Sequence, residues 1–236
     1  MLSYLQGSTR PEISMAIHRC AHFGNNSCLL LAHTVRRIAK YLTRKSTYVD
    51  LPDGNLRLMT HGVVYKSDIE KGIKCYIDTN SAGGWAQADT DNAENVMSHM
   101  GYVITYPGCP VLWCSKLQTE ISLSTTEAEY IALIQAMREV IPFMELMKEV
   151  SFIFNIHLPN PEVFCKACVD NQICIAVAES NKFSPITKNI AIKYHHFRRF
   201  VQKKIIRTCY IDTREQTADI FTKPLGEALF IYLRRK

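Results

Sequence analysis

Residues 124–144 read STTEAEYIALIQAMREVIPFM. Ser124 stands three positions before Glu127. That is the spacing of a capping box, in which a hydroxyl and a carboxylate satisfy the free N–H groups at a helix start. Tyr130, Leu133, Ile134, Met137, Val140, Ile141, Met144 and Met147 then recur on one helical stripe. The stretch predicts one long helix packed on a core, kinked at Pro142 because proline cannot donate to the helix ladder. Glu129 lies in its first turns.

Before this helix the period changes from helical to alternating. GIKCYID, Gly72–Asp78, is a short strand ending in an acid. Gly101–Tyr106 and Val111–Cys114 are two more, joined by Pro107-Gly108-Cys109-Pro110, a turn suited to a hairpin. After the helix, Val163–Val169 is a fourth strand, again followed by an acid, Asp170. A helix follows from Gln172 to about Glu179. Residues 181–189 read as a loop, Tyr194–Val201 as a basic helix and Ile205–Ile211 as a fifth strand. Ala218–Thr222 opens a last short helix that Pro224 interrupts. The order is β-β-β-α-β-α-α-β-α. Hairpin strands followed by crossover units imply an α/β fold, a mixed five-stranded sheet flanked by helices.

The chain has 236 residues, about one and a half domains at roughly 150 residues each. Two short helices are expected in residues 10–45. The second carries Leu31, Val35, Ile38, Ala39 and Leu42 on its apolar side and Arg36, Arg37, Lys40 and Arg44 on the other. Leu51-Pro52-Asp53-Gly54-Asn55 marks a turn, with short strands expected near Leu56–Met59 and Gly62–Tyr65. The expected organisation is a helical appendage over residues 1–50, a linker over 51–71, the main domain over 72–225 and a tail over 226–236.

A composition that is 47% hydrophobic and 21% charged excludes a disordered chain, a collagen-like repeat and a long coiled coil. The net charge of +6 agrees with a polyanionic partner without identifying one. Nine cysteines, mostly in apolar runs, read as reduced thiols in an intracellular setting rather than a disulfide framework. No run reaches the ~18–20 apolar residues of a membrane span. The N-terminus has no signal peptide and reads as an internal segment.

Asp78, Glu129, Asp170 and Asp219 stand at strand ends and helix starts, where a mixed sheet can gather them. Each alone reads as a cap or a solvated acid. Gathered, four carboxylates repel, and burial makes that worse. Divalent cations relieve it, and hard oxygen ligands select Mg²⁺ or Mn²⁺.

The motifs around these acids resemble one family. Ser124–Leu133 is similar to the STxEAEYxAL signature of the ribonuclease H domain of copia-type LTR retrotransposons. Cys114–Thr119, Val169–Gln172 and Thr217–Leu225 resemble its W-x-S-K-x-Q-x, C-D-N-Q and ADxxTKPL elements. Ile186–Ile190 with Tyr194–Phe197 resembles its TKHI…YHFIR segment. Arg10–Ile13 and Ile38–Leu42 resemble the end of the preceding reverse transcriptase, so that residues 1–50 would be its C-terminal remnant.

The resemblance implies an RNase H-like fold and a metal-dependent endonuclease that hydrolyses the RNA strand of RNA–DNA hybrids. It implies Asp78, Glu129, Asp170 and Asp219 as catalytic metal ligands for two Mg²⁺ ions, with Mn²⁺ able to substitute. It also implies as partners a hybrid and the rest of the polyprotein, in a cytoplasmic particle or the nucleus, with no membrane. Asn80 and Gln172 are expected to contact hybrid or metal waters. Lys193, Arg198 and Arg199, with Lys203 and Lys204, form the expected backbone grip. Glu127 is assigned to the capping box.

The chain departs from the family in three places. It has Asn80 where a second acid often follows the first. It has no histidine in the loop Asp212–Gln216. It has no paired polymerase carboxylates, so no DNA synthesis is expected. The rival readings are a catalytically silent binding module and an integrase-type transferase; the second fits less well, because its glutamate usually sits in a late helix. Cys165-x-x-Cys168 on a strand alternates poorly for one zinc, and no second pair stands at zinc spacing. His195 and His196 are expected to pack or to face substrate.

Overall fold

The computed structural model describes residues 1–22, 29–44, 47–50, 56–59, 72–81, 96–156, 164–180 and 197–236. The chain forms two compact units, Met1–Val64 and Tyr65–Lys236.

In the first unit, α1 (Leu2–Ser8), a 3₁₀ turn (Pro11–Ile13), α2 (Ser14–His22) and α3 (Leu29–Arg44) enclose a small core. Ile13, Ile17 and Ile38 are buried, with Leu2, Leu5, Ala16, Cys20, Tyr41 and Leu42 packed around them. Val35 and Ala39, expected on the apolar stripe, are exposed. Strands β1 (Thr47–Asp50) and β2 (Leu56–Met59) pair antiparallel; the turn expected at Leu51–Asn55 lies outside the described residues. The strand expected at Gly62–Tyr65 lies outside the described residues.

The second unit is built on five strands: β3 (Ile73–Asn80), β4 (His99–Thr105), β5 (Pro110–Leu117), β6 (Cys165–Val169) and β7 (Ile206–Tyr210). Their order is β5-β4-β3-β6-β7. The hairpin strands pair antiparallel, and β3–β6 and β6–β7 pair parallel. This is the mixed sheet with helices that the sequence predicts.

Alternation on β3 sends Ile73, Cys75 and Ile77 to one face. There they meet Leu133, Met137, Val140, Ile141 and Met144 of the long helix α4 (Thr125–Ile153). Ser124 caps this helix: its Oγ accepts from Glu127 N at 3.1 Å. The Glu127 carboxylate reaches back to Leu123 N at 2.8 Å, one residue before the usual capping-box position. The helix runs unbroken through Pro142, which is exposed. Met147, expected on the stripe, is half-buried.

The shorter helix α5 (Gln172–Glu179) begins where predicted, with Asn171 Oδ1 accepting from Ile173 N and Cys174 N. A further helix, α6, is described over residues 197–202. The opposite sheet face is covered by a 3₁₀ turn, Thr217–Phe221, and α7 (Glu227–Arg234). Val103, Ile220, Phe221 and Leu233 form a second core there. Residues 226–236, expected as a tail, therefore pack into the domain: Leu233 is 1% exposed, and Tyr232 Oη donates to Glu215 Oε1 at 2.7 Å. Its apolar stripe of Leu229, Phe230 and Leu233 supplies the reason.

Candidate active site

Three of the four acids, Asp78, Asp170 and Asp219, meet on the face of the sheet opposite α4. Asp78 lies two residues before the end of β3, beside Gly101 of β4 in the register. Asp170 follows β6, the parallel neighbour of β3. Asp219 lies in the 3₁₀ turn that crosses this face. One carboxylate oxygen from each lies within 4.8 Å of the others. Asp78 and Asp219 are buried.

Two residues not singled out from the sequence bring that turn to the sheet. A Cβ on Gly101 would stand 2.5 Å from Phe221 Cβ and 2.9 Å from Thr222 Cγ2, so only glycine permits this approach. Gln216, fully buried, donates through Nε2 to Ile77 O at 2.9 Å and to Cys168 O at 3.4 Å. Its Oε1 accepts from Ala218 N at 3.3 Å. One amide thus ties β3 and β6 to the turn that carries Asp219.

Lys223 was also missed as a site residue, although it lies in the quoted Thr217–Leu225 segment, one helical turn after Asp219. Its Nζ is 3.0 Å from Asp219 Oδ1 and 3.5 Å from Asp78 Oδ2. Burial opposes its charge, but the facing carboxylates of Asp78 and Asp219 hold its pKa above the ordinary lysine value. Thr222 Oγ1 donates to Asp78 Oδ2.

Burial pushes Asp78 up to about 7. Lys223 and the Thr222 hydroxyl oppose that shift, and the charges of Asp219 and Asp170 add to it. Asp219 is raised as well, chiefly by burial, against the pull of Lys223.

Glu129 is not part of the close trio. Burial also raises it to about 7; a hydrogen bond from Asn171 opposes the shift and the charge of Asp170 adds to it. Its Oε2 is buried without a hydrogen-bond partner among the described residues. Buried carboxylate oxygens that lack a donor are what a hard cation would satisfy. The donor set therefore fits a divalent ion, with Asp78, Asp170 and Asp219 as its core and Glu129 alongside.

The other expected residues are placed unequally. Asn80 ends β3, half-buried, opposite His99. Gln172 is exposed at the start of α5, two residues from Asp170. Arg199 is exposed, as are Lys203 and Lys204. Arg198 is not: it is 5% exposed and donates through Nε to Tyr130 Oη at 3.1 Å and through Nη2 to Val177 O at 3.4 Å. It pins α6 to α4 and is removed from the surface grip expected of it. Lys193, His195 and His196 lie outside the described residues. Thr213 Oγ1, from the histidine-free loop Asp212–Gln216, donates to Asp170 Oδ2 at 3.2 Å.

No protein-family model matches the chain. It is 30% identical over 222 residues, 94% of its length, to the retrovirus-related Pol polyprotein from transposon TNT 1-94 of Nicotiana tabacum. The chain is a homologue of copia-type Pol polyproteins. The corresponding protein from transposon RE2 of Arabidopsis thaliana is 29% identical over all 236 residues. The chain spans 14% of the length of each of these polyproteins. Among solved structures, LC11-RNase H1 is similar with a TM-score of 0.44 at 16% identity, covering 63% of this chain and 91% of that one. Among the described residues of this Pol homologue, no helix is long and apolar enough to cross a membrane.

Proposed function

We propose that the chain is a divalent-metal-dependent ribonuclease H that hydrolyses the RNA strand of RNA–DNA hybrids as one part of a retrotransposon polyprotein. The observation that carries this is the convergence of Asp78, Asp170 and Asp219 within 4.8 Å, with Glu129 beside them. The homology to Pol polyproteins supports it. Residues 1–50 are then the end of a reverse transcriptase, and the setting is intracellular, in a particle or the nucleus.

Two Mg²⁺ ions, for which Mn²⁺ can substitute, would be held by Asp78, Glu129, Asp170 and Asp219. Such ions supply an activated water and charge stabilisation for in-line attack on a phosphodiester. The chain's own residues do the rest. Gln216 and Thr222 hold Asp219 and Asp78 in place. Lys223 balances their charge. Asn80 and Gln172, each two residues from an acid of the cluster, would hydrogen-bond 2′-hydroxyls across the minor groove, where RNA differs from DNA. Arg199, Lys203 and Lys204 offer an exposed basic surface to a phosphate backbone.

The test is incubation of the folded chain with a labelled RNA–DNA hybrid and Mg²⁺ or Mn²⁺, beside Asp78→Asn and Asp170→Asn. The RNA strand is cut by the parent only. The ion pairs of Lys223 with Asp78 and Asp219 favour a second reading, a silent module in which lysine has become the permanent counter-ion. Hybrid binding without cleavage in either metal would establish that reading instead.

A further inference from the structure

On the same sheet, two thiols meet on the strands β6 and β7. Cys168 of β6 and Cys209 of β7 are register partners on adjacent parallel strands. Their sulfurs are 3.5 Å apart. Neighbouring strands lie about 4.7–4.9 Å apart, inside the ~4.4–6.8 Å range of Cα separations that a disulfide spans. Closing the sulfurs to about 2.05 Å therefore needs side-chain rotation and little backbone movement.

The two thiols differ in access. Cys168 is 8% exposed, whereas Cys209 is half-buried on the edge strand among the described residues. Cys75, Cys165 and Cys174 are fully buried. The two sulfurs share a hydrogen bond that either thiol can donate, and Lys166 and Lys74 place positive charge near Cys209. Thiolate character and access are what select one cysteine for oxidation over others.

We propose that Cys168 and Cys209 form a reversible redox site, with Cys209 as the thiol that peroxide oxidises first and Cys168 as the resolving thiol. The Cys209 thiolate displaces one oxygen of hydrogen peroxide, giving a sulfenic acid and hydroxide, which takes up a proton as water. The Cys168 sulfur then attacks the Cys209 sulfur, and its proton leaves with the hydroxyl as a second water. The net change is two thiols and one peroxide to one disulfide and two waters. The bond would cross-link β6 to β7 two residues before Asp170. It depends only on the sheet, so it stands whether or not the chain cleaves RNA.

The reduced full chain is treated with hydrogen peroxide, free thiols are blocked with iodoacetamide, and a non-reducing digest is analysed by mass spectrometry. The expected product is a peptide pair joining Cys168 to Cys209 as the main disulfide, reversed by dithiothreitol. In Cys168→Ser the pair is lost and Cys209 is trapped by dimedone as its sulfenic acid. In Cys209→Ser, Cys168 remains a thiol. Cys168 and Cys209 both blocked as free thiols after peroxide treatment of the parent would overturn the proposal. So would a disulfide mainly to Cys75 or Cys114. The parent result decides the matter even if a variant fails to fold.

Discussion

Lys223 shows how a single side chain sets the character of the site. Its ammonium faces Asp78 and Asp219. Removing one partner of a buried ion pair leaves the other uncompensated, which costs several kcal/mol in well-buried cases and less for a lysine that is 30% exposed. Lys223→Gln is therefore expected to melt lower than the parent without metal at pH 8. Mg²⁺ should restore much of the loss, giving the variant the larger metal-induced shift. Equal shifts in thermal melts of the two proteins would show that lysine and metal do not share these carboxylates. Asp78 and Glu129 were legible as site residues because each stands at a strand end or helix start. Lys223 was not, because its spacing from Asp219 alone reads as an ordinary surface ion pair and its other partner, Asp78, lies far away in sequence. Arg198 misled for the converse reason: a basic run reads as surface until Tyr130 is seen behind it.

At the scale of elements, the site depends on how closely the turn Thr217–Phe221 approaches β4. Gly101→Ala puts a methyl group against Phe221 and Thr222, both buried. Overpacking of this kind costs about 1–3 kcal/mol. Because Thr222 bonds Asp78, the variant should also bind Mg²⁺ more weakly by calorimetry. Unchanged stability and metal affinity would mean that the turn shifts freely. The cap of α4 is a separate case. Ser124→Ala removes one hydrogen bond at an exposed helix start, and about 1 kcal/mol of stability is expected to go with it in urea unfolding. Metal binding should hardly change, since the helix is anchored by its apolar stripe. That stripe and the Ser124–Glu127 spacing made α4 legible. The short 3₁₀ turn and α7 were blurred because their apolar residues face a partner that only the folded sheet provides.

For the whole molecule, the acid cluster links stability to pH. An aspartate in an unfolded chain titrates near ~3.9. Folding raises Asp78 to about 7, so between these values the folded state holds more protons than the unfolded state. Stability contributed by this group is then greatest at low pH and falls as pH rises towards 7. The metal-free chain is expected to lose stability from this group between about pH 4 and 7. Asp78→Asn should flatten that part of the profile in thermal melts, and a profile unchanged by the substitution would contradict the burial of this carboxylate. Mg²⁺ should stabilise the parent more at pH 8 than at pH 5, because protons and metal compete for the same oxygens. The sequence by itself determined the order of strands and helices, since local periodicity and capping chemistry encode them, and it nominated the four acids. Only the tertiary structure decided that three of them share one small volume with Lys223 while Glu129 stands just outside. Proximity across a sheet is set by strand register and by a single glycine, and neither leaves a local signature in the chain.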